Sequence, residues 1–234
     1  MTTDEVVLLI RGEVGTTVTL QVSRGGEANP ITLHIERAII ETPSVEWRLL
    51  DEAPATGYIK IRLFSIRTGK ELARAISEVL DVRGNGGGLL EASVDVSSRF
   101  LAGGTVLKED RRGEAPIIYR TRAGEKILEA PLVVLVDGGT ASASEIVAGA
   151  LQDHKRAVLI GERTFGKGSV QLVYDLSDES SVHVTVAKWF TPNNHSIDGV
   201  GLTPDIEVLF SEEDHATGRD PQFQRAVEFL LNGE

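Results

Sequence analysis

Twice in this chain a short apolar run ends in glycines and gives way to a helical pattern. "VLDVRGNGGG" (79–88) precedes "LLEASVDVSSRFL" (89–101), and "PLVVLVDGG" (131–139) precedes "TASASEIVAGALQDH" (140–154), with Ile146, Val147, Ala150 and Leu151 on one face. A third apolar run, "AVLIG" (157–161), follows at once. Strands that alternate with helices are expected to pair in parallel through right-handed crossovers, which is an α/β fold. Both glycine turns then lie at the carboxyl edge of the strands, where such sheets bind ligands.

The flanking sequence is simpler. Residues 3–11 read as a short helix, and "TTVTLQV" (16–22) and "ITLHIERA" (31–38) as alternating strands around the turn cluster "SRGGEANP". "GYIKIRLFS" (57–65) reads as a strand and "TGKELARAISE" (68–78) as a helix. Beyond the core, "SVQLVYDLS" (169–177) and "SVHVTVAKWF" (181–190) form a β-rich lobe. The acidic run "SEEDH" (211–215) reads as a solvated loop, and "PQFQRAVEFLLNG" (221–233) as an amphipathic helix. The expected division is 1–38, 39–210 and 211–234.

Composition removes several function classes. A net charge of −11 over 234 residues, with no basic cluster, argues against a nucleic-acid partner. The absence of cysteine excludes disulfides and thiolate chemistry. The apolar stretches are too short to span a bilayer, and "MTTDEVVLLIRG" has acidic residues where a signal peptide is basic, so no targeting segment is expected. His34, His154, His183, His195 and His215 are scattered without metal spacing, so neither a metal nor another cofactor is expected, and no Ser-His-Asp triad is supported.

"GERTFGKGSVQ" (161–171) begins like a phosphate loop. Gly168 stands where that loop needs Ser or Thr, and a strand former follows instead of a helix, so nucleotide binding is set aside. Lys167 is then either an exposed lysine in a glycine loop or a general base. As a base its amine must be neutral, which needs desolvation; Phe165 could wall it in, and Gln171, on the same face of an extended segment, could orient it.

A base needs a partner. Ser142 and Ser144 lie in "GGTASASE" at a strand-to-helix turn, where the helix amino terminus offers free N–H groups to an oxyanion. The same residues could equally form a helix cap, Glu145 completing a capping box from Ser142. The turn "RGNGGG" offers further amides at that edge, or is only a tight connection.

Together, "DVRGNGGGLL", "GGTASASEIVAGALQDH", "GERTFGKGSVQ" and "WFTPNNHSIDGVGLTPDIEV" resemble the carboxyl-terminal processing peptidases, serine endopeptidases with a Ser-Lys dyad and a ClpP/crotonase-like core. The resemblance implies Ser142 as nucleophile, Lys167 as base, Gln171 as its support, and the amides of Ala143 and of Gly87 or Gly88 as the oxyanion hole. It implies protein or peptide substrates, cleaved at unstructured carboxyl-terminal tails, and a place in the cell envelope or thylakoid lumen. It makes residues 1–38 the last part of a PDZ domain whose peptide-binding groove would precede Met1. Two departures stand out: the segment before Val79 is shorter than the family's, and Gly84 and Gly86 occupy positions where the family often has Asn and Pro. Two alternatives remain, a scaffold that keeps the fold without turnover and a crotonase-like thioester enzyme, for which no coenzyme A site is found. Oligomeric state is left open.

Overall fold

The computed structural model describes residues 10–23, 30–38, 43–50, 56–72, 79–176 and 180–232. The chain divides into two units, residues 1–42 and 43–234, close to the expected boundary at 38. In the first, β1 (Thr17–Val22) and β2 (Ile31–Glu36) form an antiparallel hairpin from Thr17↔Glu36 to Val22↔Ile31. The helix expected at 3–11 falls almost wholly outside the described residues.

The second unit runs β3 (Val45–Leu49), β4 (Gly57–Ile61), α1 (Thr68–Leu72), β5 (Val79–Asp81), α2 (Leu90–Phe100), β6 (Thr105–Arg111), β7 (Ile117–Arg120), β8 (Val133–Val136), α3 (Ala143–Asp153), β9 (Val158–Gly161), β10 (Ser169–Asp175), β11 (Ser181–Phe190), β12 (Ile206–Glu207), α4 (Glu212–Thr217) and α5 (Pro221–Asn232). Six strands make one sheet in the order β12-β9-β8-β5-β4-β3. All its pairings are parallel except β3 with β4. The expected crossover units are therefore present.

At the centre of the sheet β8 buries both faces, which is why its run is apolar throughout rather than alternating. Ile59, Ile61, Leu80, Val134, Val136 and Leu159 point to the side of α2 and α3 and meet Phe100, Ile146, Val147 and Leu151. Val79, Val133, Leu135 and Ile160 point the other way and meet Ala226, Phe223 and Phe229 of α5. Because the strands share one direction, the turns after β5, β8 and β9 gather at one edge.

Four β10-β11-β6-β7 strands make a second, antiparallel sheet. Sequence periodicity identifies β10 and β11 but not β3, β6 or β7. In β6 the reason is chemical: "TVLKEDR" looks solvated, yet Glu109 is buried, accepting from Arg111 Nε at 2.7 Å and from Trp189 Nε1 at 3.2 Å. The acidic run is also corrected. Residues 212–217 are helical rather than a solvated loop, because Ser211 Oγ accepts the Asp214 N–H at 3.1 Å and Asp214 is buried against Arg219.

Candidate active site

Ser142 is the last residue of the turn between β8 and α3, and its backbone is unusual. It has φ 58° and ψ −117°, a conformation that costs a non-glycine residue roughly 1–3 kcal/mol. Such strain persists only where neighbours over-determine it. Here the turn is pinned by Thr140, whose hydroxyl donates to Val82 O at 3.0 Å and whose N–H donates to Asp137 O. Ala141 N–H donates to Asn85 O at 3.0 Å, joining this turn to the one after β5.

The two serines have different fates. Ser144 is fully buried and its hydroxyl donates to Asn85 O at 2.9 Å. Ser142 makes no capping hydrogen bond with its side chain and retains 9% exposure. With Glu145 it forms the expected capping box: Ser142 N–H donates to Glu145 Oε2 at 2.8 Å, and the serine side chain faces the Glu145 backbone N–H without completing a cap hydrogen bond. Ser144 is a structural strut, while the Ser142 side chain sits at the head of α3 as the serine half of the capping box, without a cap hydrogen bond.

Glu145 is the residue that sequence reasoning undervalued. It is fully buried, and four neutral donors converge on it. Oε1 accepts from the Thr164 hydroxyl at 2.5 Å and Gly166 N–H at 2.7 Å; Oε2 accepts from Ser142 N–H and Lys167 N–H at 2.8 Å each. The amino end of α3 adds a favourable field for negative charge. The amides of the apparent phosphate loop thus bind an internal carboxylate, which explains why the loop looks like an anion cradle. The available signal was an acidic residue three positions after a serine at an apolar helix start.

This carboxylate ties the Lys167 loop to the Ser142 turn. With both nitrogens 2.8 Å from one oxygen, they lie no further apart than twice that, about 5.6 Å. Phe165 N–H adds a direct bond to Thr140 O at 3.0 Å. On the far side the loop rests on residues 197–201. A Cβ at Gly168 would lie 2.3 Å from Asp198 N, and Gly199 N–H donates to Gly166 O.

One expectation about the lysine is corrected. Phe165 does not wall it in: the ring is 67% exposed and the Lys167 side chain is exposed too, without a hydrogen-bond or ion-pair partner among the described residues. The bonds to Glu145 use the loop's backbone and turn its side chains outward. Gln171 is likewise engaged elsewhere, its amide donating to Thr185 Oγ1 at 3.4 Å across a bulge in the β10–β11 pairing.

The glycine turn after β5 lies directly against Ser142. A Cβ on Gly87 would come within 2.8 Å of Ser142 Cβ and 2.9 Å of Ala143 N, and one on Gly88 within 2.1 Å of Phe64 O, so neither position admits a side chain. Gly87 N–H is already donated to Asn85 Oδ1 at 2.9 Å. Gly88 N–H and Ala143 N–H have no acceptor among the described residues. Asn85, 1% exposed, is the hub: Nδ2 donates to Ile61 O at 2.7 Å while its carbonyl receives Ala141 and Ser144.

The same turn begins with Arg83, held by the buried Asp81, which also accepts from Tyr58 OH at 2.7 Å. Burial works against the Asp81 charge, but Arg83 outweighs it and holds the carboxyl below its usual range. Burial, reinforced by Asp81, pushes the Tyr58 phenol up. Among the described residues no cluster could hold a metal ion. His154 caps the far end of α3, His195 Nδ1 faces Asp153 at 3.3 Å and His215 stacks on Phe210, so none joins Ser142.

Comparison with known proteins completes the picture. Residues 55–208 match the profile of peptidase family S41. The chain is 39% identical over 244 residues to the carboxyl-terminal-processing protease of a Synechocystis strain, covering 98% of this chain and 57% of that protein. It is 38% identical over 218 residues to a carboxy-terminal processing protease of Bacillus subtilis, covering 89% and 46%. The solved structure of a photosystem II D1 C-terminal processing protease superposes with a TM-score of 0.64 at 36% identity, covering 89% of this chain and 59% of that one. The chain spans about half the length of the curated relatives it matches.

Proposed function

The chain belongs to peptidase family S41, and on that premise we propose that it is a serine endopeptidase that cleaves unstructured carboxyl-terminal tails of proteins through Ser142 and Lys167. The observation that carries the proposal is the single Glu145 oxygen bonded to the amides of both residues, beside a strained serine whose side chain makes no cap hydrogen bond. In this reading the neutral Lys167 amine takes the Ser142 proton, Oγ bonds to the scissile carbonyl carbon, and the oxyanion is held by N–H of Ala143 and Gly88. The lysine ammonium returns its proton to the leaving nitrogen as the C–N bond breaks. Water, deprotonated by the same amine, then releases the acyl group and restores the serine.

The exposure of Lys167 gives the substrate a part in this scheme. A polypeptide lying over the site excludes water from the amine, which favours its neutral form. Gln171 is proposed to orient that amine once it leaves Thr185. The β1–β2 hairpin is read as the closing part of a PDZ-type peptide-binding module. A location in the cell envelope or thylakoid lumen belongs to the same proposal; no helix among the described residues is long and apolar enough to cross a membrane.

An acylating phosphonate probe tests the assignment. Ser142 is expected to be the modified residue, and Ser142→Ala and Lys167→Ala are each expected to abolish cleavage of an unfolded protein while the chain stays folded. Gln171→Ala should lower turnover less than Lys167→Ala. A folded chain that the probe does not label at Ser142 would mean a scaffold without turnover.

A further inference from the structure

The turn that presents Gly88 is tightly packed at Gly87 and Gly88 but open at Gly84 and Gly86. Nothing lies within 4 Å of a Cβ built on Gly84 or Gly86, and on its outer side the turn borders a cavity of about 490 Å³ lined by Gly84, Asp137, Gly138 and Asp220 among others. Where side-chain packing is missing, at Gly84 and Gly86, a glycine turn is costly to hold in one conformation. Hydrogen bonds must do it. Asn85 secures the middle, and the entry is secured by the Arg83 side chain and by Gly84 N–H, which donates to Asp137 Oδ1 at 2.9 Å.

Arg83 is held from two directions. On one side its Nε and Nη2 donate to Asp81 of β5. On the other, Asp220 takes the guanidinium in a two-pronged grip, Oδ1 to Nη1 and Oδ2 to Nη2 at 2.8 Å each, and Gln222 Oε1 accepts from Nη1 at 3.1 Å. Asp220 also caps α5, its Oδ1 accepting Phe223 N–H at 2.9 Å. Gln222 is 1% exposed, and its amide donates to Val208 O at 2.8 Å and to Glu162 Oε1 at 3.3 Å. Burial opposes the Arg83 charge, and the two aspartates outweigh it. Both Asp220 and Gln222 lie outside the residues 55–208 matched by the family profile.

We propose that Asp220 and Gln222 are positioning residues for the oxyanion turn: they grip Arg83 and thereby fix residues 84–88, so that the Gly88 N–H stays aimed at the carbonyl attacked by Ser142. The inference rests on the proposed catalytic reading, but the grip itself can be measured without turnover. Four backbone N–H hydrogen bonds report on the turn: Gly84 N–H to Asp137 Oδ1, Asn85 N–H to Val82 O, Gly87 N–H to Asn85 Oδ1, and Leu89 N–H to Phe64 O.

The discriminating variants are Asp220→Ser and Asp220→Asn. Both residue types cap helices about as well as Asp, so α5 should persist. Ser cannot reach Arg83, and Asn offers it one uncharged oxygen in place of two. Amide exchange should speed up by about tenfold or more at 85–89 while α5 stays protected. In parallel, kcat on an unfolded protein should fall by roughly 10–10²-fold, less than the 10²–10³-fold for losing a donor outright, with KM nearly unchanged. Asp220→Asn should fall between the parent and Asp220→Ser. Unchanged exchange at 85–89 overturns the grip, and faster exchange with unchanged kcat overturns the positioning role. A parent chain that neither cleaves nor takes the probe removes the catalytic reading, and exchange then still decides the grip.

Discussion

The backbone nitrogens of Ser142 and Lys167 are bonded to one atom, Glu145 Oε2, at 2.8 Å each. Residues 25 positions apart are thereby locked in register by a buried charge, with the Thr164 hydroxyl and Gly166 amide filling its other oxygen. The local geometry of the site depends on that carboxylate being intact and acceptor-only.

Glu145→Gln tests this directly. The amide keeps the shape but replaces one acceptor oxygen by an NH₂ donor, which must then face other N–H or O–H donors. Each buried donor left unsatisfied costs about 1–3 kcal/mol. Denaturant unfolding should show a loss of that order, and cleavage should drop by more than the stability loss accounts for, because the lysine loop is released. Full activity with unchanged stability would remove Glu145 from this role.

The two serines of the motif should separate cleanly. Ser144→Ala removes a buried hydroxyl bonded to Asn85 O and should lower stability by about 1 kcal/mol while probe labelling of Ser142 persists. Ser142→Ala should lose labelling and gain or lose little stability, since that hydroxyl makes no capping bond and the strained backbone stays. Mass spectrometry of the labelled chain and a denaturation curve are sufficient to decide.

Glycines of the same turn should respond in opposite directions. Gly87→Ala drives a methyl against Ser142 Cβ at positive φ and should destabilise the chain and disrupt the site. Gly86→Ala meets open space and should be neutral or stabilising by about 0.4–1 kcal/mol through the unfolded state. Comparing the unfolding midpoints of the two variants checks both.

Stability should fall at both ends of the pH scale, for identifiable reasons. Asp81 is held below the ordinary aspartate value of 3.8, so its contribution is complete above that value and is lost as pH falls through the lower folded-state value. Tyr58 is held above the ordinary 10.0, so its contribution is complete below pH 10 and is lost as pH rises toward the higher folded-state value. Tyr58→Phe should flatten the alkaline limb, and Asp81→Asn the acid limb on a lower baseline, in unfolding titrations. An alkaline limb that is unchanged in Tyr58→Phe would assign it to another group.

The βα units were legible in the sequence because their signals are local. Apolar runs at 79–82, 133–136 and 158–160, each closed by a turn and followed by another element, leave few ways to pair. The strands that escaped, at 45–49, 105–111 and 117–120, are those whose burial is polar or partial. In β6 the arrival of Trp189 and Tyr119, beside the strand's own Arg111, makes a buried Glu109 tolerable. The acidic run at 211–215 misled for a similar reason, since its compensating Arg219 and cap lie within the fold's own turn.

What the sequence determined by itself is therefore the parallel core, the two glycine turns at its edge, and, through resemblance, the serine and lysine proposed to work there. The tertiary structure decided how those pieces are held: Glu145 as the shared anchor of two loops, Ser144 as a strut and Ser142 as the capping-box serine without a cap hydrogen bond, Gly88 rather than Gly87 as the unoccupied amide, and Arg83 gripped from α5. Periodicity and turn chemistry act over a few neighbouring residues and can be read along the chain. Satisfying a buried charge depends on donors brought together from distant segments, and only the folded backbone specifies which ones arrive.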